Sequence, residues 1–312
     1  MNPECLVIGD LNCDLIFNGL AGFPELGKEI LSRDYDIVIG GSGGIFTAVL
    51  SRLGIKTSII SKVGNDSYSK FILDELQKSG ADISRIIINE NTKTGITVSL
   101  SYERNKSQIS SLNLVKSLKA DEICLKNLES IKHIHFSSYY MMDGLKPNYL
   151  NIIEKIKSAY KEITFSIDTN DDPDNVWEPS IYEIFKNVDI LFLNKKEAIK
   201  ISRETSVEEA INKLANYVKK VVIKLGREGY LAKINGKLYR GFCRNIDNKN
   251  FLDGTGSGDN FDAGFVFGFL KGFGIEKTLE FATYCAEKSI EYSGGFGSDE
   301  KFDEIRKVYK IN

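Results

Sequence analysis

A cluster of glycines directly precedes a long apolar stretch in the C-terminal part of the sequence. It runs Asp253-Gly254-Thr255-Gly256-Ser257-Gly258-Asp259, and the residues that follow, 261–270, are mostly apolar. A glycine turn at a helix N-terminus can direct several backbone N–H groups, and the positive end of the helix dipole, at one phosphate. Asp259 would lie in the first helical turn, where it could accept a hydroxyl proton during phosphoryl transfer. The same residues are also typical of a simple helix cap with a tight turn, so alone they leave both interpretations open.

A second glycine cluster, Gly40-Gly41-Ser42-Gly43-Gly44, leads into a helix-like segment that begins at Ile45. The missing side chains would let a small ligand approach the backbone closely. Near the first apolar run, Asn12 and Asp14 alternate with apolar residues, so both point to the same face of a strand. An amide and a carboxylate on one face suit the hydroxyl groups of a sugar, although an isolated pair of this kind is more typical of a solvated strand end.

Composition and charge narrow the function classes. The chain has 312 residues, of which 42% are hydrophobic and 27% are charged, as in ordinary globular proteins. Lys and Arg together number 41 and Asp and Glu 43, so the net charge is −2 and binding to nucleic acid or to a membrane is not expected. Five scattered cysteines without a C-x-x-C pair argue against a disulfide framework and a zinc site. The N-terminus lacks the basic start of a secretory signal, so we expect a cytoplasmic protein.

Short apolar runs recur along the chain and are typical of buried strands. They lie at residues 5–8, 57–62, 131–136, 163–167, 188–193 and 221–225. Segments whose apolar residues recur with the period of a helix lie between these runs. The clearest covers 207–218, and Ser206 and Glu209 match a capping box at its start. Strands that alternate with helices predict right-handed crossovers and a mostly parallel sheet with helices on both faces. We therefore predict one doubly wound α/β domain over residues 1–312.

Two segments, at about residues 11–40 and 93–112, break this alternation. In the second, Thr97 and Ser99 alternate with Val98 and Leu100, as in strands with one solvated face. Ligands in open α/β sheets bind beyond the carboxyl ends of the strands. A small β-flap inserted from these two places could cover that crevice as a lid.

Five sequence features occur together in a fixed order. They are the Asn12/Asp14 pair, the Gly40-Gly41 turn, Asn194-Lys195-Lys196-Glu197, Lys224-Leu225-Gly226-Arg227-Glu228-Gly229 and the segment 253–259. In order and spacing the chain resembles the ribokinase-like (PfkB) carbohydrate kinase family over nearly its whole length. The Asp-x-Thr-Gly-x-Gly-Asp motif at 253–259 is the most specific of the five. The resemblance implies a ribokinase-like fold and a kinase that uses ATP with magnesium.

The resemblance also implies roles for individual residues. Asp259 would be the general base, and the anion hole for the transferred phosphate would be formed by Gly256, Ser257 and Gly258. The substrate contacts would be Asn12, Asp14, Gly40 and Gly41. A motif that holds the metal and the phosphates through water would comprise Asn194 and Glu197. Asp253 corresponds to a position that lies beside a monovalent cation, such as K⁺, in relatives. Lys224, Gly226 and Gly229 match the strand and turn that lie beside the nucleotide in the family.

The sequence departs from the family pattern on the substrate side. Ile45 stands where the family usually has an asparagine that contacts a sugar hydroxyl. Residues 137–142 follow a strand whose end carries a carboxylate in ribokinases, and they include Tyr139. An apolar wall with an aromatic ring suits a nucleobase, so a nucleoside kinase is an alternative. The other possibility is that these residues only pack the core.

Three cations, Lys28, Arg104 and Lys106, lie in or beside the predicted lid strands. They could reach the crevice when the lid closes, which keeps a phosphosugar kinase open as an alternative. Such charges also commonly form the solvated face of a flap.

Other titratable residues carry less weight. His133 and His135 project to one face of a strand, and without further histidines or a cysteine pair they are expected to be structural. Asp168 ends a predicted strand in a carboxylate-rich segment and is a candidate for the region near the phosphates.

These observations predict an ATP-dependent kinase that phosphorylates a hydroxyl group of a small sugar or sugar-containing metabolite. The alternative enzymes are a nucleoside kinase and a phosphosugar kinase of the same family. The alternative without catalysis is a sensor that binds a nucleotide or a sugar. The expected partners are ATP and a small-molecule substrate, and the expected cofactors are Mg²⁺ and, as an option, K⁺. Because relatives often dimerise through their lid strands, a homodimer is compatible with the alternating pattern of the second lid segment.

Overall fold

Strands and helices alternate along the chain, as the sequence pattern predicts. The computed structural model describes residues 2–102, 105–244, 251–295 and 297–311. The strands are β1 (Cys5–Ile8), β2 (Asn12–Asn18), β3 (Asp34–Gly40), β4 (Thr57–Ile60), β5 (Lys62–Gly64), β6 (Ile87–Asn89), β7 (Ile96–Tyr102), β8 (Asn105–Ser111), β9 (His133–Phe136), β10 (Thr164–Asp168), β11 (Ile190–Asn194), β12 (Lys220–Lys224), β13 (Tyr230–Ile234) and β14 (Lys237–Gly241). The helices are α1 (Ser42–Arg52), α2 (Ser67–Lys78), α3 (Asn113–Ser117), α4 (Tyr149–Ala159), α5 (Ile181–Phe185), α6 (Lys195–Ser202), α7 (Val207–Leu214), α8 (Ser257–Leu270), α9 (Ile275–Ser289) and α10 (Asp299–Tyr309).

Eight strands form the central sheet, in the order β14-β13-β12-β11-β10-β9-β1-β4. Neighbours from β4 to β12 run parallel, whereas β13 and β14 are antiparallel at one edge. The chain goes from β1 outward to β4 and later returns to the other side of β1 at β9, so the strand order reverses beside β1. Ligands bind at such a switch point, beyond the carboxyl ends of the strands.

Side chains of β1 alternate between two separate cores, one on each face of the sheet. Leu6 and Ile8 belong to the core that includes Ile153 of α4, whereas Cys5 and Val7 belong to the core that includes helices α1 and α8. All four side chains of β1 are fully buried. The predicted doubly wound α/β fold with a mostly parallel sheet is confirmed. Within the described ranges, no helix is both long enough and apolar enough to span a bilayer.

The predicted lid is a four-stranded sheet in the order β3-β2-β7-β8. Strand β2 pairs antiparallel with β3 and parallel with β7, and β7 pairs antiparallel with β8. The register of β2 with β3 places Asn12 opposite Gly40. Since α1 starts just after Gly40, the base of the lid lies beside the N-terminus of that helix.

Several element boundaries differ from those predicted. The run at 57–62 splits into β4 and β5, and β5 pairs with β6 outside the central sheet. The helix predicted over 207–218 ends at Leu214, because the N–H groups of Asn216 and Tyr217 bond to carbonyls three residues back and tighten the chain into turns. Its predicted capping box of Ser206 and Glu209 is present.

Candidate active site

Polar residues occupy the carboxyl ends of neighbouring central strands. Asp10 follows β1, Ser137 follows β9, and the last residues of β10, β11 and β12 are Asp168, Asn194 and Lys224. Parallel strands bring these ends to one edge of the sheet. A cavity of about 440 Å³ lies there, and its lining includes the ends of β10 to β12 and the first turn of α8.

The glycine turn forms the N-cap of α8. Gly256 is the N-cap residue with a φ of 71°, a left-handed conformation that side chains disfavour. Ser257, Gly258 and Asp259 make up the first helical turn and line the cavity. The N–H groups of a first turn have no carbonyl partner within the helix and attract anions. Three of the four residues predicted as anion hole and base, Ser257, Gly258 and Asp259, therefore line one cavity, and Gly256 caps the same turn.

The pKa of Asp259 suits a general base that works at neutral pH. Burial and the carboxylate of Asp168 raise its pKa to about 7, while the Lys224 ammonium and a hydrogen bond from Ser42 oppose the rise. A general base works best when its pKa lies near the working pH. The carboxylate can therefore exist at neutral pH and still bind a proton strongly.

Lys224 lies between two buried carboxylates behind the glycine turn. Its Nζ is 2.8 Å from Oδ2 of Asp168 and 2.7 Å from Oδ2 of Asp262. A Cβ atom placed on Gly258 would lie 3.3 Å from the same Nζ, so the ammonium sits directly against the anion-hole backbone. Burial disfavours the Lys224 ammonium, but the two carboxylates outweigh this cost and raise its pKa. Asp262 was not identified from the sequence as a site residue.

The four predicted substrate contacts lie together at the base of the lid. Asn12 donates from Nδ2 to Oδ1 of Asp14 at 2.7 Å. A Cβ on Gly40 would lie 2.1 Å from that Asp14 oxygen, and a Cβ on Gly41 would lie 2.8 Å from Oδ1 of Asn12. Burial raises the pKa of Asp14 to about 6. The two glycines thus leave room for a polar pair that can accept and donate hydrogen bonds.

Asp10 and Ser42 connect the lid base to the cavity. The carboxylate of Asp10 accepts hydrogen bonds from the N–H groups of Ser42 at 3.1 Å and Gly43 at 2.9 Å, and from Oγ of Ser137 at 2.9 Å. Ser42 lines the cavity and hydrogen-bonds to Asp259. Sequence reasoning missed Asp10, although an acidic residue directly after a buried strand is the signal that would have found it.

Asn194 and Glu197 form the capping box of α6. The Asn194 N–H donates to Oε2 of Glu197 at 2.9 Å, and the Glu197 N–H donates back to Oδ1 of Asn194 at 2.9 Å. Burial and the nearby Asp168 carboxylate raise the pKa of Glu197 to about 8. Both residues line the cavity beside Asp168.

The residues present fit a magnesium ion held mainly through water. Mg²⁺ prefers oxygen ligands and usually keeps several waters, with one or two carboxylates and the substrate phosphates completing its shell. Asp168 and Glu197 supply such carboxylates at the cavity wall. In the part of the chain that the structure describes, no group of three or more acidic, histidine or cysteine side chains forms a metal cage.

A tight turn and an apolar wall form the far end of the cavity. Gly226 and Gly229 have φ values of 61° and 88°, and a Cβ on Gly229 would lie 2.1 Å from the carbonyl oxygen of Gly241. Only glycine fits that approach. Apolar side chains complete the lining, among them Phe251, Phe261, Ala286 and Ile290. A flat aromatic group such as a nucleobase suits a wall of this kind.

The comparisons with known proteins agree on one family. The sequence profile described as pfkB family carbohydrate kinase matches residues 2–301. An uncharacterised sugar kinase of Archaeoglobus fulgidus is 27% identical over 249 residues, which cover 78% of this chain and 95% of that protein. The chain belongs to the pfkB carbohydrate kinase family. It is therefore a phosphotransferase with a hydroxyl group as acceptor.

Solved structures show that the kinase shares its fold with this family. An adenosine kinase from Sinorhizobium meliloti has a TM-score of 0.86 at 19% identity and covers 99% of this chain and 100% of its own. A protein from Escherichia coli described as a ribokinase II, in complex with ATP and Mg²⁺, has a TM-score of 0.83 at 20% identity, with 99% of this chain and 100% of its own covered. The predicted ribokinase-like fold is confirmed.

Tyr139 and Ile45, the residues at which the sequence departs from the family pattern, are both buried in the kinase. Tyr139 is 3% exposed and packs in the core, with its ring centroid 5.1 Å from those of Tyr140 and Tyr149. It is absent from the cavity lining, as are Asn12, Asp14, Gly40 and Gly41, so its contact with the substrate stays a prediction. The left-handed Ser138 starts a short helical turn and directs the chain into the core. Ile45 is also buried, and its Cδ1 would lie 3.1 Å from a Cβ on Gly256.

The lid cations of the kinase differ in position. Lys106 donates from Nζ to Oγ1 of Thr255, at 2.5 Å, in the glycine motif itself. Lys28 instead pairs with Glu25 at 2.5 Å and is largely exposed. Arg104 lies outside the described residues. One lid cation of the three is thus seen to reach the site.

The two histidines are structural in the kinase, as expected. Both rings are fully buried and lie within 2.8 Å of the Ser166 hydroxyl. Burial lowers the pKa of each to about 3, so both are neutral.

Proposed function

We propose that this ATP-dependent kinase transfers the terminal phosphoryl group of ATP to a hydroxyl group of a small sugar, with Asp259 as the general base. One observation carries the proposal: Asp259 lies in the first turn of α8 at the cavity and accepts a hydrogen bond from Ser42, whose N–H donates to Asp10 beside Gly41 of the lid base. A group in that position can contact both an acceptor hydroxyl and the phosphate to be transferred.

The acceptor side would be read by Asn12 and Asp14. A sugar hydroxyl can donate to the Asp14 carboxylate and accept from the Asn12 amide, which are 2.7 Å apart. Gly40 and Gly41 leave the backbone bare beside them, so the sugar can lie close to the chain. The lid sheet covers this side and limits access of water, which is itself a competing acceptor.

In the transfer step, the acceptor oxygen forms a bond to the terminal phosphorus of ATP while its proton passes to the Asp259 carboxylate. The bond between that phosphorus and the bridging oxygen breaks, and ADP leaves with the bond's electron pair. The N–H groups at Gly256, Ser257 and Gly258 would stabilise the charge on the transferred phosphoryl group. Protonated Asp259 then loses its proton to solvent.

On the donor side, Asn194, Lys224, Gly226 and Gly229 would bind the nucleotide, and the apolar wall around Phe251 would hold the adenine ring. Glu197 and Asp168 would hold Mg²⁺ through water. When bound, Mg²⁺ supplies positive charge that neutralises the phosphate oxygens. The Escherichia coli relative in complex with ATP and Mg²⁺ supports this donor pair for the present chain.

A phosphosugar is the second candidate acceptor. The observation that favours it is the contact of Lys106 with Thr255, which brings a lid ammonium to the edge of the anion site. Burial does not separate a nucleoside from a sugar as acceptor, because Tyr139 and Ile45 are each 3% exposed, as Asn12 is, and Ile45 lies against Gly256 of the glycine turn. A homodimer formed through the lid strands stays a prediction. Three exposed apolar side chains on the lid, Tyr35, Ile37 and Ile109, support this dimer, and sedimentation velocity measures the oligomeric state.

The test is an ADP-release assay with ATP and Mg²⁺ against panels of free sugars, phosphosugars and nucleosides. We expect turnover with a free sugar. If a phosphosugar is preferred, Lys106→Met should raise its KM, whereas Lys28→Met, a lid lysine remote from the motif, should not. ATP bound without turnover on any acceptor would favour the sensor and contradict the proposal.

A further inference from the structure

A lysine is buried beneath the glycine turn. Lys301 of α10 is 1% exposed, although lysine is among the residues that are least often buried. Its Nζ donates to the carbonyl oxygen of Gly295 at 3.0 Å and to Oδ1 of Asn260 at 3.3 Å. The ammonium also lies 5.6 Å from the ring centroid of Tyr292 and 5.0 Å from that of Phe302. Neutral oxygens and aromatic faces thus surround it at these contacts.

The oxygens that bind this ammonium belong to the support of the anion hole. A Cβ on Gly295 would lie 2.2 Å from the carbonyl oxygen of Thr255 and 3.3 Å from Cα of Gly256, so the two backbone segments touch. Asn260 donates from Nδ2 to the carbonyl of Gly256 at 2.8 Å and to that of Gly295 at 2.9 Å. Asn260 also directly follows Asp259. Lys301 therefore fixes the carbonyl and the amide that hold the glycine turn in place.

A monovalent cation beside Asp253, which the family resemblance implies, does not fit the residues present. Both carboxylate oxygens of Asp253 already accept hydrogen bonds: Oδ1 from the N–H and hydroxyl of Thr255, at 3.0 and 2.8 Å, and Oδ2 from the Gly294 N–H at 3.0 Å. The neighbouring carbonyl of Gly295 accepts from Lys301 and from Asn260. Oδ1 of Asp253 and the Gly295 carbonyl oxygen thus each accept two donors, and among these oxygens Oδ2 of Asp253 alone keeps an open acceptor position, which is too few for a K⁺ ion.

We propose that the Lys301 ammonium is a built-in cation that takes the place of a bound monovalent ion and holds the phosphate-binding turn in its active geometry. This makes Lys301 a positioning residue and the kinase independent of K⁺. The inference rests on the proposed function only in that the glycine turn is taken as the anion hole. A covalently attached cation needs no ion concentration to stay bound, so the turn stays formed in any salt.

The test compares wild type, Lys301→Ala, Lys301→Met and the control Lys307→Met, a lysine on the exposed side of the same helix. Assays are run at pH 6.0, below the value of about 7 to which burial lowers the pKa of Lys301, so that most of the wild-type side chains are protonated. Each protein is measured in KCl, NH₄Cl and tetramethylammonium chloride at equal ionic strength. Thermal unfolding in the same salts gives a readout that needs no acceptor.

We expect wild type and Lys307→Met to show the same kcat in all three salts. Lys301→Ala should lose on the order of 10-fold or more in kcat in tetramethylammonium, because a displaced turn misplaces the phosphate. NH₄⁺ or K⁺ should restore part of that loss and raise the Tm of Lys301→Ala but not of wild type, since an ion that binds only the folded variant stabilises it. Lys301→Met fills the space with an apolar chain and should not be rescued.

Two results would overturn the inference. One is activation of wild type by K⁺ over tetramethylammonium, which would mean that a separate cation site exists. The other is a Lys301→Ala protein that keeps wild-type kcat, or whose Tm does not respond to NH₄⁺ or K⁺. If wild type turns over no acceptor at all, the proposed function fails, and the thermal shifts still decide the role of Lys301.

Discussion

Replacing Lys224 by methionine tests the ion cluster behind the anion hole. The substitution keeps the length of the side chain but removes the ammonium that lies 2.8 Å from Asp168 and 2.7 Å from Asp262. Asp262 has a side-chain exposure of 1%, so water cannot replace the lost partner. Removing one member of a buried pair costs about 3–5 kcal/mol, because the remaining charge is left without compensation.

The expected fall in the Tm of Lys224→Met is large enough to distinguish it from the fall in a control variant. At roughly 2–4 °C per kcal/mol for large domains, the Tm of Lys224→Met should fall by about 6–20 °C. Lys220→Met is the matched control, since Lys220 starts the same strand and its Nζ lies 5.4 Å from the ring centroid of Phe269. Loss of such a cation–π contact costs only about 0.5–1 kcal/mol. Differential scanning calorimetry of both variants provides the comparison.

The same variant has a second, independent signature in the pH profile. Lys224 opposes the burial that raises the pKa of Asp259 to about 7, so its removal should move the acidic limb of kcat/KM to higher pH. Burial and the Asp168 carboxylate raise the pKa of Asp262, so the charge stranded by Lys224→Met is that of Asp168, and adding Asp168→Asn should recover part of the lost stability. If Lys224→Met unfolds at the same temperature as Lys220→Met and keeps the wild-type pH profile, the reasoning is refuted.

Two further predictions concern the substrate side and the base. Gly40→Ala places a methyl group 2.1 Å from Oδ1 of Asp14 and displaces the substrate-binding pair. Such overpacking costs about 1–3 kcal/mol, so the KM for the acceptor should rise roughly 5- to 150-fold. The KM for ATP should not change. Gly22→Ala is the control, since a Cβ there meets nothing within 4 Å; an equal effect in both would contradict the assignment. In wild type, kcat/KM for the acceptor should rise with pH through about 7, because burial and Asp168 raise the pKa of Asp259 and only its carboxylate accepts the proton. A profile that is flat down to pH 5 would be inconsistent with Asp259 as the base.

The fold and the contiguous motifs were predictable because local sequence encodes them. Alternating apolar runs predict the parallel sheet, and the glycines around Gly256 permit the left-handed N-cap that the structure has. The pairing of Asn12 with Asp14 follows from the two-residue period of a strand. Wherever function depends on neighbours in sequence, the residue pattern carries the information.

Residues that act through distant neighbours were not predictable in this way. Asp262 is an ordinary polar helix residue until Lys224, 38 positions earlier, lies against it. Lys301 gains its place only through Asn260, 41 positions earlier. The burial of Tyr139 depends on the left-handed Ser138 before it, and backbone dihedral angles of a single non-glycine residue are not encoded by apolar periodicity.

The central claim is that Asp259 accepts the proton of the acceptor hydroxyl, and Asp259→Asn tests it most directly. The measurement is kcat of wild type and variant with the acceptor found in the panel, together with ATP affinity by calorimetry. We predict a fall in kcat on the order of 100- to 10,000-fold with ATP affinity retained, because an amide cannot accept the proton. A variant that binds ATP and keeps most of the wild-type turnover would contradict the claim.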